Sequence, residues 1–244
     1  MCLLAVGQAT PSLAGGVASG RFSINPTLVV LAPGTASVLV ALTNEGQGAM
    51  RFQLSAFAWD QAPDGEMRLG PTEDIVFFPQ MLTLAPGESR NIRVATLASP
   101  EAIERSYRLF IEELPPSEAE RQPGVVQMLT RVGIPIFVPP ASRVEGAEIR
   151  DVSREADALS FTIVNTGNAY FVPEHVSVKT LAHDGAVLGE RTLRAWYVLA
   201  GGTRKFTTDL PGLSLPKAAE VLVEARIGET VVTRRLDLAT RVSR

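Results

Sequence analysis

From Phe22 onward the chain is written in short apolar or alternating runs, each closed by turn residues. The first run is Phe22 to Leu31, closed by Pro33-Gly34, and the second is Ser37 to Thr43, closed by Asn44-Glu45-Gly46. Met50 to Trp59 alternates, so that Phe52, Leu54, Ala56 and Ala58 fall on one face of a strand. A tight turn is expected at Asp64-Gly65. Ile75 to Phe78 ends at Pro79, Met81 to Leu84 runs into Pro86-Gly87, and Ser89 to Leu97 follows. Tyr107 to Leu114 stops at Pro115-Pro116, and Val125 to Val138 stops at Pro139-Pro140. Helical periodicity is scarce, and Pro100 to Arg105 has room for at most one short turn of helix. Short strands at this spacing, punctuated by Gly and Pro, predict a β-sandwich or barrel.

Pro139-Pro140 marks a domain boundary, because two prolines donate nothing to a ladder and favour a stiff, extended link. A second strand series follows: Ala147 to Val152, Ala158 to Asn165, His175 to Leu181, Gly189 to Leu193, Trp196 to Leu199, Arg204 to Thr208, Glu220 to Ile227 and Val231 to Leu236. Thr166-Gly167-Asn168, His183-Asp184-Gly185 and Gly201-Gly202 supply turns between them. Roughly a hundred residues in such strands make one immunoglobulin-like sandwich. The predicted fold is therefore all-β, with two immunoglobulin-like sandwiches in tandem over 21–139 and 140–244.

The run from Val125 to Val138 is longer than an ordinary strand of about 5–6 residues. Val126, Met128, Val132, Ile134, Ile136 and Val138 share one face by the period-two rule, and Thr130 lies in the same register. Pro135 lacks an N–H, so ladder pairing must lapse on at least one side there. Two readings fit this periodicity. One is an ordinary last strand buried on one face. The other is β-augmentation, in which an apolar strand with an open edge pairs with a partner's sheet.

Composition narrows the function classes. The chain is 45% hydrophobic and 20% charged, which argues against disorder, and its net charge of −3 gives no field to attract nucleic acid. No apolar run approaches the ~20 residues of a membrane span, so no membrane insertion is expected. Met1 to Gly20 is uncharged, with Gly16 and Ala18 placed for cleavage after Ala18. Without a basic n-region, residues 1–20 read as an incomplete signal peptide or as a loose tail. Cys2 is the single cysteine and would leave with a leader, which excludes disulfides and a thiol nucleophile from the mature chain. The two histidines, His175 and His183, belong to no metal-ligand spacing, and no nucleophile elbow or phosphate loop occurs. No catalytic residue, metal or cofactor is therefore expected.

Several stretches carry a family resemblance. They are Phe22-Ser23-Ile24-Asn25-Pro26 with Pro33-Gly34; Trp59-Asp60-Gln61; Pro71-Thr72-Glu73-Asp74-Ile75; and Leu84-Ala85-Pro86-Gly87-Glu88-Ser89-Arg90 with Arg93. The most specific are Tyr107-Arg108-Leu109-Phe110-Ile111-Glu112-Glu113-Leu114-Pro115 and Arg131-Val132-Gly133-Ile134-Pro135-Ile136-Phe137. Asn165-Thr166-Gly167-Asn168 and Trp196-Tyr197-Val198-Leu199 extend the likeness into the second series. Together they resemble the periplasmic chaperones of the chaperone–usher pathway, in the archaic branch that serves spore-coat-type pili. The resemblance implies a boomerang of two immunoglobulin-like domains. It also implies a periplasmic, non-enzymatic protein that lends a strand to pilus subunits and delivers them to an outer-membrane usher. Val126, Met128, Thr130, Val132 and Ile134 would then contact the subunit, with Val126 and Met128 inserted first. Further members of the stripe extend either that contact or the chain's own core. A free donor strand is open to self-association. A rival reading is a structural or adhesive surface protein of tandem immunoglobulin-like modules, and a hydrolase on a β-sandwich is a weaker one. An adhesin has no need of the long strand or of the Tyr107 to Pro115 stretch.

The sequence departs from the family pattern at two places. Better-known members hold the subunit's C-terminal carboxylate with two basic residues, whose counterparts here are Leu28 and either Ile134 or Pro135. A carboxylate in a cleft needs a cationic partner, so Arg108 and Arg131 become the anchor candidates. The family's interdomain ion pair is also altered: Glu104 matches its acidic member, but the basic position holds Val138 or Pro139. The hinge is then held differently, or is looser.

Overall fold

The computed structural model describes residues 17–19, 21–116, 126–155, 158–210 and 218–238, and every regular element among them is a β-strand. In chain order the strands are β1 (Val17–Ser19), β2 (Phe22–Asn25), β3 (Val29–Val30), β4 (Val38–Asn44), β5 (Met50–Gln61), β6 (Met67–Gly70), β7 (Ile75–Phe78), β8 (Met81–Leu84), β9 (Ser89–Thr96), β10 (Arg105–Leu114), β11 (Val126–Met128) and β12 (Arg131–Val138). The series continues with β13 (Ala147–Glu155), β14 (Ala158–Asn165), β15 (His175–Leu181), β16 (Val187–Leu193), β17 (Thr203–Asp209), β18 (Glu220–Ile227) and β19 (Thr230–Asp237). Pro100 to Arg105 holds bends and no helix.

Two sandwiches result. In the first, the sheet β2-β4-β9-β7 faces the sheet β3-β12-β10-β5-β6, to which β8 adds by pairing with β5. The alternation of β5 turns Met50, Phe52 and Leu54 into a core shared with Val40, Leu42, Ile92, Val94, Leu109 and Ile111, with Ala56 and Ala58 partly buried against it. Phe22 meets Phe52 edge-on at 5.1 Å between centroids. In the second sandwich, β13-β14-β17 covers β16-β15-β18-β19. Its core is built on Phe161, stacked on Phe206, with Leu159, Ile163, Val176, Val178, Val221 and Val223. Burying side chains of this size stabilises by about 2 kcal/mol each before conformational entropy is counted.

The same polar device closes a strand in each sandwich. The buried amide of Asn44 donates to the carbonyls of Gly48 and Leu84 and accepts from the N–H of Gly46. The buried amide of Asn165 donates to the carbonyls of Ala169 and Val198 and accepts from the N–H of Gly167. The two Asn-x-Gly turns thus satisfy backbone groups that would otherwise be orphaned.

Three strand expectations need correction. The run from Phe22 to Leu31 is two strands in different sheets: β2 pairs with β4, and β3 pairs with β12. Pro26 stands where the chain changes sheet, and it has no N–H to give to either ladder. Met67 to Gly70, unmarked by any alternation, is a strand because β8 covers only Met50 to Gln53 on the edge of β5 away from β10, which leaves Ala58 to Gln61 open to pairing there. Trp196 to Leu199 is not a strand. It makes one bridge, Val198 to Phe171, and its remaining residues serve the contact between the sandwiches.

That contact is aromatic at its centre and backbone-bonded at its rim. Phe137 stacks on Tyr170 at 3.7 Å, and Trp59 meets Tyr197 edge-on at 5.5 Å. Leu28 and Leu199 pack into the same cluster. Gln61 Nε2 donates to the Tyr197 carbonyl at 3.0 Å, and Lys205 N–H donates to the Pro63 carbonyl at 3.1 Å. The Glu104 N–H donates to the Asn168 carbonyl, and the Asn168 amide donates to the carbonyls of Ala102 and Ser142.

Candidate functional site

The expected long strand is interrupted. β11 and β12 are separated by Leu129 and Thr130, and Val125 lies outside the described residues. The break is made by Glu113. Its backbone N–H donates to the Thr130 carbonyl at 2.9 Å, and its carboxylate accepts from the Thr130 N–H at 3.2 Å. A side chain therefore takes the place of a ladder partner at the end of β10. Burial raises the Glu113 carboxyl from its ordinary value, and the Thr130 hydrogen bond partly opposes this.

Upstream and downstream of the break the stripe has different surroundings. β12 pairs along its length with β10, Pro135 standing opposite Arg108. On its other edge β3 reaches only Ile136 and Phe137, joined by the Leu31 N–H to the Phe137 carbonyl. Among the described residues, Arg131 to Pro135 have no strand on that edge. Ile134 is 1% exposed inside the first core, with Ile136 and Val138, and Val132 packs partly against it. Of the two roles open to the stripe, Ile134 takes the chain's own core and offers a partner no side-chain surface. Met128 is 60% exposed, and Leu129 and Thr130 are exposed beside it. Val126 lies in β11, whose backbone pairs in parallel with β1 in the register Val17 to Val126 and Ser19 to Met128.

Arg108 and Arg131 do not meet the same fate. Arg131 is exposed, 3.5 Å from the Glu112 carboxylate, with its guanidinium 4.0 Å over the Phe110 ring. Arg108 is 4% exposed, and its guanidinium lies 3.8 Å over the Trp59 ring and 5.7 Å from the Tyr197 centroid. Its Nη1 donates to the Gly133 carbonyl at 3.0 Å, while Nε and Nη2 are buried without an acceptor. The neighbouring Trp59 Nε1 is likewise buried and unpartnered. Burial pulls the guanidinium below its ordinary pKa. A buried cation with two idle donors is costly unless an anion completes it. Gly133 is needed here, because a Cβ would stand 2.9 Å from Phe110 Cε1.

The altered hinge positions are also resolved. Leu28 joins the interdomain cluster, and Val138 is buried in the first core. Glu104, 8% exposed, accepts from the Tyr170 N–H at 2.8 Å. Desolvation raises its carboxyl to about 7, against the opposing pull of that hydrogen bond and of Arg143. The hinge is thus held by hydrogen bonds to backbone groups and by aromatic packing, around an acid that has no salt-bridge partner within 4 Å among the described residues. Sequence reasoning missed the roles of Glu113, Gln61 and Tyr170. No local signal marks them, since each acts on an element far away in the chain.

The profile described as "Pili and flagellar-assembly chaperone, PapD N-terminal domain" matches residues 21–143. The "Probable fimbrial chaperone EcpE" of Escherichia coli O18:K1:H7 (strain IHE3034 / ExPEC) is 25% identical over 162 residues, covering 66% of this chain and 64% of that protein, so the match spans just under two thirds of the relative. Its counterpart in Escherichia coli strain K12 is 26% identical over 164 residues, with coverage of 66% and 64%. Among solved structures, the CsuC-CsuE chaperone–tip adhesion subunit complex from archaic chaperone-usher Csu pili of Acinetobacter baumannii superposes with a TM-score of 0.58 at 19% identity, over 88% of this chain and 97% of that one. The YadV chaperone superposes with a TM-score of 0.57 at 16% identity, over 89% and 99%. These two likenesses are of fold: two immunoglobulin-like sandwiches in tandem.

Proposed function

The chain belongs to the pilus and flagellar-assembly chaperones of the PapD type, and from that premise we propose that it protects pilus subunits in the periplasm by lending them a strand and passes them to an outer-membrane usher. In this reading the domain over 21–139 lends the strand, and the domain over 140–244 braces it. The observation that carries the proposal is the edge of β12: Arg131 to Pro135 have no strand on one side, and the chain continues into exposed Thr130, Leu129 and Met128. An apolar segment with idle backbone groups is a template for β-augmentation. A subunit that lacks a strand exposes an apolar groove that aggregates unless it is filled. Val126 and Met128 are the side chains proposed to enter that groove, and Val132 rests on the chain's own core.

Arg108 is proposed as the anchor for the subunit's terminal carboxylate. Its Nε and Nη2 are buried and unpartnered, and a planar guanidinium presents such donors to a carboxylate in bidentate fashion. Arg131 fits this role less well, being exposed and paired with Glu112. The adhesive-module reading draws no support from the family match.

The test is co-expression with a candidate subunit, followed by purification of the one-to-one complex. Val126→Asp and Met128→Asp are expected to abolish capture while the free protein keeps its fold by circular dichroism. Intact capture in both variants overturns the lent-strand proposal.

A further inference from the structure

A second polar site opens between the two sandwiches on the β6 side of the first, and it shares Trp59 with the surroundings of Arg108. In the sheet order β3-β12-β10-β5-β6, the strand β6 is the far edge, and its outer side has no strand partner among the described residues. Beside it a cleft of about 520 Å³ opens between the β5–β6 hairpin and the segment from Arg194 to Trp196. Trp59 and Met67 line one side, and Arg194, Trp196 and Arg204 line the other. No Asp or Glu lines it. Neither arginine has a carboxylate within ion-pair distance among the described residues.

The two arginines are presented differently. Arg194 is exposed. Arg204 is laid across the hairpin turn: its Nη1, Cζ and Cγ stand 3.1, 3.2 and 3.3 Å from where a Cβ on Gly65 would be. Gly65 has φ +89°, a conformation that favours glycine and leaves that space open. Arg204 is thus packed against the turn and partly buried, and desolvation lowers its pKa. A cation drawn partly out of water without a counterion is improved by an incoming anion. Trp59, 5% exposed, also lines this cleft, and its ring carries the Arg108 guanidinium on one face.

We propose that this cleft binds an extended acidic peptide segment, with its carboxylates on Arg194 and Arg204 and its apolar side chains on Met67 and Trp196. An extended chain fits better than a small anion for two reasons. Exposed Met67 lies across the cleft from the two guanidiniums, with exposed Trp196 beside them, which suits an extended chain whose apolar and acidic residues alternate between its two faces. The free edge of β6 also supplies backbone groups for such a chain to pair with. The proposal goes beyond the lent strand: β10 and β5 lie between β12 and β6, and the two sites share Trp59, which also packs on Phe137 and under Arg108.

The chain has two tryptophans, Trp59 and Trp196, and both line the cleft, so intrinsic emission reports on it; because Trp59 also lies under Arg108, the arginine variants below assign the change to the cleft. The full chain is titrated with a synthetic peptide of alternating valine and glutamate, and separately with the alternating valine–lysine peptide. A saturable emission change is expected with the glutamate peptide only. Arg194→Ala with Arg204→Ala should weaken it at least about tenfold, as for the loss of a charge-assisted hydrogen bond. Arg194→Ala alone, at an exposed position, should weaken it in part without disturbing the fold. Salt raised to about 0.5 M should weaken it as well. Val126→Asp should leave it unchanged, which separates this site from the lent strand. Equal binding of the lysine peptide, retention of affinity in the double variant, or an emission change reproduced by free glutamate alone overturns the proposal.

Discussion

Glu104 offers the sharpest quantitative test of how the two sandwiches are joined. Its carboxyl is buried at the contact and raised from 4.5 to about 7, chiefly by desolvation. The Tyr170 N–H and Arg143 oppose that shift without cancelling it. At about 1.4 kcal/mol per pH unit, the shift favours the protonated acid in the folded state by about 3 kcal/mol. The folded chain therefore binds this proton more tightly than the unfolded chain. The contribution is complete below about 4.5 and is lost as the pH rises through about 7. Between about pH 5 and about pH 8 the loss comes to about 2–3 kcal/mol. In Glu104→Gln the amide oxygen can still accept from Tyr170, and there is no proton to lose. Urea unfolding of both proteins across that range is the assay, and the difference between them isolates Glu104 from other titrating groups. The variant should gain on the parent by about 2–3 kcal/mol as the pH rises. A difference that stays flat, or runs the other way, would refute the claim that this acid is desolvated at a closed interface.

Other outcomes follow from single contacts. Asn165→Ala strands two carbonyls and the Gly167 N–H, and should cost about 2–4 kcal/mol by urea unfolding, with Asn44→Ala similar in the first sandwich. Gly133→Ala pushes a methyl into Phe110 and should cost about 1–2 kcal/mol, most of it recovered when Phe110→Leu is added. Arg108→Ala should reduce recovery of a co-expressed subunit about tenfold or more, and Arg108→Lys should rescue it only in part, because a lysine cannot present a planar pair of donors. Full recovery with Arg108→Ala removes that residue from the anchor.

The fold was readable in the sequence wherever the instruction is local. Period-two alternation in Met50 to Trp59 names the buried face because successive side chains point to opposite sides of a strand. Proline and glycine end strands in either sandwich, because their constraints are backbone ones that need no partner. The apolar stripe from Val126 to Val138 was legible in the same way, and so was the need for an unpaired side near Pro135.

Tertiary structure decided what lies opposite each run. Phe22 to Leu31 reads as one strand, yet it divides because two different sheets offer edges to it. The stripe divides at Leu129 and Thr130 because Glu113, distant in sequence, reaches Thr130 with both backbone and side chain. Ile134 and Met128 are alike in pattern, but one lies over the first core and the other beyond its end. Trp196 to Leu199 looks like a strand but is drawn out of one by Gln61 and the aromatic cluster. Arg108 and Arg131 were both anchor candidates by residue type. Only the second sandwich, closing over Trp59 with Tyr197, leaves Arg108 as a desolvated charge with idle donors while Arg131 stays in water. A sequence specifies which groups can bury or bond. Which groups are left without a partner depends on surfaces that meet only after the chain has folded.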